Sequence, residues 1–221
     1  VDGTVTRVDP ATNKVVATIR VDSGSVDGGD LAVGGGFVWA RVTDSLVAKI
    51  AERIDAMVSL LHDGGVKIER IAGLVGELNH RLFARLWGLV APAELVANSC
   101  LLVMGSEGRG EQILKTDQDN ALLIRDGFEW PGLAELAARF NAALVELGYP
   151  PCPGDIMLTN PVWRQPLAAF KATMRDWLYG GGGGGTIDGA MHLAIFFDAA
   201  AVDGDATLLN EARAHLDRIL G

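Results

Sequence analysis

The chain has 221 residues, 49% of them hydrophobic and 21% charged, and a formal net charge of -9 goes with a pI near 4.9. That composition fits a chain with a packed core, and the acidic balance excludes a broad basic surface able to track a nucleic-acid backbone, so no nucleic-acid template is expected. Two cysteines, Cys100 and Cys152, make neither a disulfide framework nor a CxxC pair, which fits a reducing, cytoplasmic setting; no stretch reads as a secretion signal or reaches the roughly 18 to 20 apolar residues of a membrane span.

Residues 1–44 read as β-rich. Thr4 to Val8 and Lys14 to Ile19 are short β-branched runs on either side of the turn-forming Asp9-Pro10-Ala11-Thr12-Asn13, and two further runs, Leu31 to Val33 and Phe37 to Ala40, flank Gly34-Gly35-Gly36. The segment "DGTVTRVDPATNKVVATI…GDLAVGGGFVW" resembles one blade of a β-propeller repeat. One blade cannot bury its faces alone, so no chemistry is expected of it.

From Ser45 the period changes. Leu46, Ile50, Ile54, Met57, Val58 and Leu61 recur at three and four residues, which predicts an amphipathic helix capped by Asp44 or Ser45, and a second helix is predicted from about Lys67 to Val90, stopped by Pro92. Residues 45–92 are thus a helical pair. Asn98 to Met104 and Asn120 to Arg125 read as buried strands joined by a glycine-bearing connector, and Leu133 to Leu147 reads as a helix, so that 93–150 form a compact core. In 151–221 the sequence predicts a helix from Gln165 to Leu178, a hinge at the six glycines 180–185, a strand from Met191 to Phe197 and a last helix from Thr207 to Leu220.

The dense constellation of polar residues lies between the two buried strands, in Gly105-Ser106-Glu107-Gly108-Arg109-Gly110 and Thr116-Asp117-Gln118-Asp119-Asn120. Where Gly105 and Ser106 end a strand and open a helix, backbone amides and a hydroxyl face open space, the arrangement that holds phosphate. On extended backbone Asp117 and Asp119 leave the same face, with α-carbons roughly 6.5 to 7 Å apart. Two bare carboxylates aimed at one point repel. A hard divalent cation, Mg²⁺ or Mn²⁺, removes that penalty and takes further oxygens from a substrate's phosphates.

The run "GSEGRGEQ…TDQDN", with "GYPPCPGDIMLTNPVWRQPLAAFKATMRDW" and "IFFDAAAVDGD" further on, resembles the polymerase-β-like nucleotidyltransferases. It is most similar to a subfamily related to the uridylyltransferase of the PII signalling protein and to glutamine synthetase adenylyltransferase, often linked to CBS domains. The resemblance spans about residues 46–221 and implies an α/β (α+β) fold with a mixed sheet, with 93–150 as catalytic core and 151–221 completing the site. It implies Gly105 and Ser106 as the phosphate-binding signature, Asp117, Asp119 and Asp198 as metal ligands, and Arg109 as a neutraliser of triphosphate charge. Lys171 and Arg175 are weaker candidates for the same task, and Asn160 and Arg164 for the nucleotide or acceptor pocket. The implied reaction moves a nucleoside monophosphate from ATP or UTP to an acceptor hydroxyl, on a side chain of a regulatory protein. A catalytically silent nucleotide-binding module is the alternative, and a structural protein carried by the propeller-like strands a third. Against the family pattern, no CBS pair precedes the core, six glycines stand before Asp198, and the helical tail reads short.

Other chemistries find no support. His62, His80, His192 and His215 share no ligand spacing, Gly105-x-x-Gly108-x-Gly110 is not the dinucleotide order G-x-G-x-x-G, and Lys115-Thr116 lacks the preceding glycine of a P-loop.

Overall fold

A computed structural model of the chain describes residues 4–9, 14–20, 31–34 and 37–40 as backbone, and 54, 57–113, 116–180 and 187–221 in full. The chain divides into two compact units, Val1–Ile50 and Ala51–Gly221. In the first, β1 (Thr4–Asp9) pairs antiparallel with β2 (Lys14–Arg20), with a register shift between Arg7 and Val8, and β3 (Leu31–Gly34) pairs antiparallel with β4 (Phe37–Ala40). All four strands expected from the β-branched runs are present.

In the second unit residues 57–63 are helical, while the predicted start of that helix at Asp44 or Ser45 lies outside the described residues. Helix α1 (Ile68–Val90) follows, its buried stripe of Ile71, Val75, Leu82, Phe83, Leu86 and Trp87 recurring at helical spacing. Pro92 cannot continue the helix, and a short α2 (Ala93–Ala97) leads into β5 (Ser99–Val103). After β5 come the single turn α3 (Gly105–Gly108), β6 (Asn120–Ile124), α4 (Leu133–Glu146), β7 (Arg164–Pro166), α5 (Leu167–Tyr179), α6 (Ile187–Phe197), β8 (Ala200–Gly204) and α7 (Thr207–Leu220). Among the described residues no helix is long and apolar enough to cross a membrane.

The strands form a mixed sheet in the order β7-β6-β5-β8, in which β5 runs antiparallel to both β6 and β8 while β6 and β7 are parallel. The fold is therefore the expected α+β class. Both central strands are buried along their whole length, which explains why they read as unbroken apolar runs rather than alternating ones. Cys100, Leu102, Ala121 and Leu123 enter a core made with α5, α6 and α7. Leu122 and Ile124 leave the opposite face with Asn120, whose side chain is bonded to Asn141 of α4, so that face belongs to α4. Trp87 of α1 meets Phe140 of α4 edge to face at 5.3 Å.

One element differs from the sequence reading. Residues 191–197, expected as a strand, lie in α6, where Gly189, Leu193 and Phe196 are buried at spacings of four and three. A short apolar run carries no period of its own, and the core it meets decides the outcome. At Gly189 a Cβ would lie 2.4 Å from the Trp177 carbonyl oxygen, so only glycine lets α6 approach α5 this closely. The hinge expected at 180–185 lies, beyond Gly180, outside the described residues.

Phe170 sits at the centre of this core, with ring centroids 5.0 Å from Phe196, 5.8 Å from Trp177 and 6.2 Å from Trp163. Phe170→Ala is expected to lower unfolding stability by about 3–5 kcal/mol, because a fully buried ring leaves a cavity its rigid neighbours cannot close. Urea denaturation followed by circular dichroism measures it, and a loss below about 1 kcal/mol would contradict this packing.

Candidate active site

The site begins with alternation. Residues 117–120 are extended, so Gln118 and Asn120 turn to one side and Asp117 and Asp119 to the other. Gln118 is buried; its Nε2 donates to the carbonyls of Tyr149 at 2.9 Å and Asn141 at 3.1 Å, and its Oε1 accepts from Asn141 Nδ2 at 2.5 Å. The same Asn141 amide donates to Asn120 Oδ1 at 3.1 Å, and Leu158 N–H donates to that oxygen at 2.9 Å. Three buried amides thus fix one face of the motif to α4 and to the 149–158 loop. Main-chain bonds from Gln118 N to Pro150 O, 2.9 Å, and from Asn120 N to Ile156 O, 3.0 Å, lay that loop alongside.

On the other face Asp117, Asp119 and Cys152 converge, with one ligand atom of each within 4.8 Å of the others. Cys152 is there because Gln118 bridges Pro151 in parallel, which sets residue 152 beside 119. The Asp119 carboxylate has its Oδ1 shielded from solvent without a hydrogen-bond partner. Burial holds the Asp119 pKa above the usual carboxylate range, a tendency the Cys152 thiol opposes and the charge of Asp117 reinforces. The Cys152 thiol is pushed up to about 11, chiefly by burial. Two hard oxygen donors, one with an unused buried lone pair, fit a divalent cation.

The glycine-serine turn lies against this pair. Met104 N–H donates to the Asp119 carbonyl at 2.9 Å, and Gly105 has a φ of +59°, where a Cβ would come 2.7 Å from Asp119 Oδ2. A side chain at 105 would occupy the space of the carboxylate, so glycine is required twice over. Ser106 and Glu107 follow in the first turn of α3.

Asp198 stands outside the cluster of ligand atoms. It follows α6, and its main chain presses on α3 so closely that a Cβ on Gly108 would lie 2.0 Å from its carbonyl oxygen. Its Oδ2 accepts from Arg109 Nη1, while Arg109 Nε donates to Glu111 at 2.8 Å. The arginine expected at the triphosphate and the third expected carboxylate are therefore paired with each other. Of the more distant candidates, Asn160 caps the Pro161–Trp163 turn, accepting from Val162 N at 3.0 Å and donating to the Asp155 carbonyl at 3.0 Å. Arg164 Nη1 donates to the Leu158 carbonyl, and Lys171 Nζ reaches Glu211 of α7 at 3.1 Å. Arg175, one turn after Lys171 on α5, is exposed.

The sequence reading passed over Gln118, Asn120, Asn141, Glu107 and Cys152. A usable signal existed for the first two, since period-two alternation in Asp-Gln-Asp-Asn puts two amides on the face opposite the two acids. No spacing rule connects Asn141 or Cys152 to the motif.

A small mixed sheet with paired acidic side chains beside a Gly-Ser turn defines the nucleotidyltransferase class of α+β core. The family model described as "Putative nucleotidyltransferase DUF294" matches residues 52–182, more than half of the chain, and the chain belongs to that family. No curated protein and no solved structure matches it.

Glu107 is a buried acid of α3 whose Oε2 accepts from Asn79 Nδ2 at 3.4 Å, while Asn79 Oδ1 accepts from Tyr149 Oη at 2.7 Å. Burial raises its carboxyl from 4.5 to about 7, against the lowering effect of Asn79. Between these values the folded chain keeps a proton that the unfolded chain has lost, so this group's contribution is full below about 4.5 and is lost as pH rises through about 7. Glu107→Gln is expected to flatten the decline of melting temperature over that interval. Parallel melting curves of the two proteins across the interval provide the check; identical slopes would rule the assignment out.

Proposed function

We propose that this chain is a Mg²⁺- or Mn²⁺-dependent nucleotidyltransferase that moves a nucleoside monophosphate from ATP or UTP to an acceptor hydroxyl on a regulatory protein, in the manner of the PII uridylyltransferases and related adenylyltransferases. The observation that carries the reading is the convergence of Asp117 and Asp119 beside Gly105, in a chain of a nucleotidyltransferase family. In it Asp117 and Asp119 hold the cation, which when bound neutralises phosphate charge and polarises the reacting phosphoryl oxygens. Gly105 gives the triphosphate close access to the backbone, Ser106 binds it through its hydroxyl, and Arg109 meets its outer charge.

Asp198 is the third carboxylate in this reading. Its salt bridge with Arg109 makes the two a coupled pair, so a triphosphate that draws Arg109 away frees Asp198 for the metal. Lys171 and the exposed Arg175, one turn apart on α5, are weaker candidates for meeting triphosphate charge, and Asn160 and Arg164, bonded to main-chain carbonyls of the 155–158 segment, for lining the nucleotide or acceptor pocket. The working division is a propeller-repeat-like segment 1–44, a helical pair 45–92, a catalytic core 93–150 and a C-terminal part 151–221 completing the site. A sheet drawing strands from both of the last two parts supports treating them as one working unit. Two free, buried cysteines are consistent with a reducing, cytoplasmic setting.

A second reading, a catalytically silent nucleotide-binding module, is favoured by one observation, the engagement of Asp198 by Arg109. Labelled ATP and UTP separate the two. With Mg²⁺, the wild-type chain is expected to release pyrophosphate, and Asp117→Ala to reduce the rate by about a hundredfold or more. Nucleotide binding without Asp117-dependent release would establish the silent module instead.

A further inference from the structure

We infer that Cys152 Sγ is a third donor of the metal centre, making an oxygen, oxygen, sulfur site that takes thiophilic divalent cations such as Zn²⁺ or Cd²⁺ in competition with Mg²⁺. The inference rests on Asp117 and Asp119 being the metal site proposed above, and adds to it a soft ligand and the class of ion that ligand selects. Three observations converge on it. Sγ and one oxygen from each carboxylate lie within 4.8 Å of one another. The parallel bridge between Gln118 and Pro151 sets the buried Cys152 beside Asp119. Asp119 Oδ1, shielded from solvent, has no hydrogen-bond partner.

Donors held about 2.0–2.3 Å from one tetrahedral ion stand roughly 3.5 Å apart, so side-chain rotations of about an ångström close this group around a cation. The loop cannot drift off, because Pro150 O and Ile156 O are bonded to Gln118 N and Asn120 N on either side of Asp119. Mg²⁺ is hard and strongly hydrated; it takes the carboxylates and leaves sulfur alone. Zn²⁺ and Cd²⁺ favour thiolate. As the metal–sulfur bond forms, the S–H bond breaks and its proton passes to buffer, so the ion sees three anionic donors where Mg²⁺ sees two. The site therefore holds a soft ion more tightly, and such an ion excludes Mg²⁺.

Cd²⁺ alone is the probe, titrated into the full 221-residue chain and followed by the ultraviolet sulfur-to-cadmium charge-transfer band. A saturable band is expected in the wild type, suppressed by excess Zn²⁺ and absent in Cys152→Ser, which keeps the buried Cys100 as internal control. Asp119→Asn should raise the apparent Kd about tenfold or more. No band in the wild type, a band that survives Cys152→Ser, or a Kd unmoved by Asp119→Asn overturns the inference. X-ray absorption fine structure of the cadmium-loaded wild type needs no variant to fold. A sulfur shell supports Cys152, whereas bound cadmium with oxygen neighbours alone removes Cys152 and leaves the carboxylate site standing. Failure to bind cadmium at all counts against both.

Discussion

The structure turns on holding two like charges together. Asp117 and Asp119 point at one spot in a partly buried setting, where their repulsion and desolvation would push them apart if the backbone were free to move. It is not free, because Gln118 and Asn120, alternating with the acids, are locked on the opposite face by Asn141 and by the 149–158 loop. Buried amides bonded to one another resist displacement, since breaking any one of these bonds leaves a further polar group unsatisfied in the core. Strain at the acidic face is thus held by hydrogen bonding behind it, and a cation is the natural way to relieve it.

The remaining charges are arranged around that pair economically. Although the chain is acidic overall, the positive group near α3 is already shared between Glu111 and Asp198, so the site as it stands favours a polyanion bearing its own counter-ion over a bare one. The Arg109–Asp198 salt bridge couples the loop after β5 to the turn after α6, two segments that lie far apart in sequence. Cys152 gives the carboxylates a soft neighbour. These three contacts distinguish the site from a plain pair of acids on a strand.

Close approach of backbone explains why small residues recur here. Gly105 leaves room for the Asp119 carboxylate, and Gly108 lets the Asp198 main chain touch α3. Behind them the aromatic cluster of Trp163, Phe170, Trp177 and Phe196 ties α5 and α6 to the loop before β7. The position of Asp198 therefore depends on packing in a core that contains none of the reacting groups.

Much of this was legible in the chain itself. Unbroken apolar runs mark the two central strands, helical spacing marks α1, α4, α5 and α7, and the Gly-Ser and Asp-x-Asp elements mark the site, because each is a local pattern read by a local rule. Period two also puts Gln118 and Asn120 behind the acids. Tertiary structure alone decided the rest. Residues 191–197 became helix where Leu193 and Phe196 met the core and Gly189 came against Trp177, Cys152 joined the acids through a bridge between distant segments, and Arg109 chose Glu111 and Asp198 as partners. Those outcomes depend on which surfaces meet after folding, and a distance through space between residues 12, 33 or 89 positions apart has no counterpart in spacing along the chain.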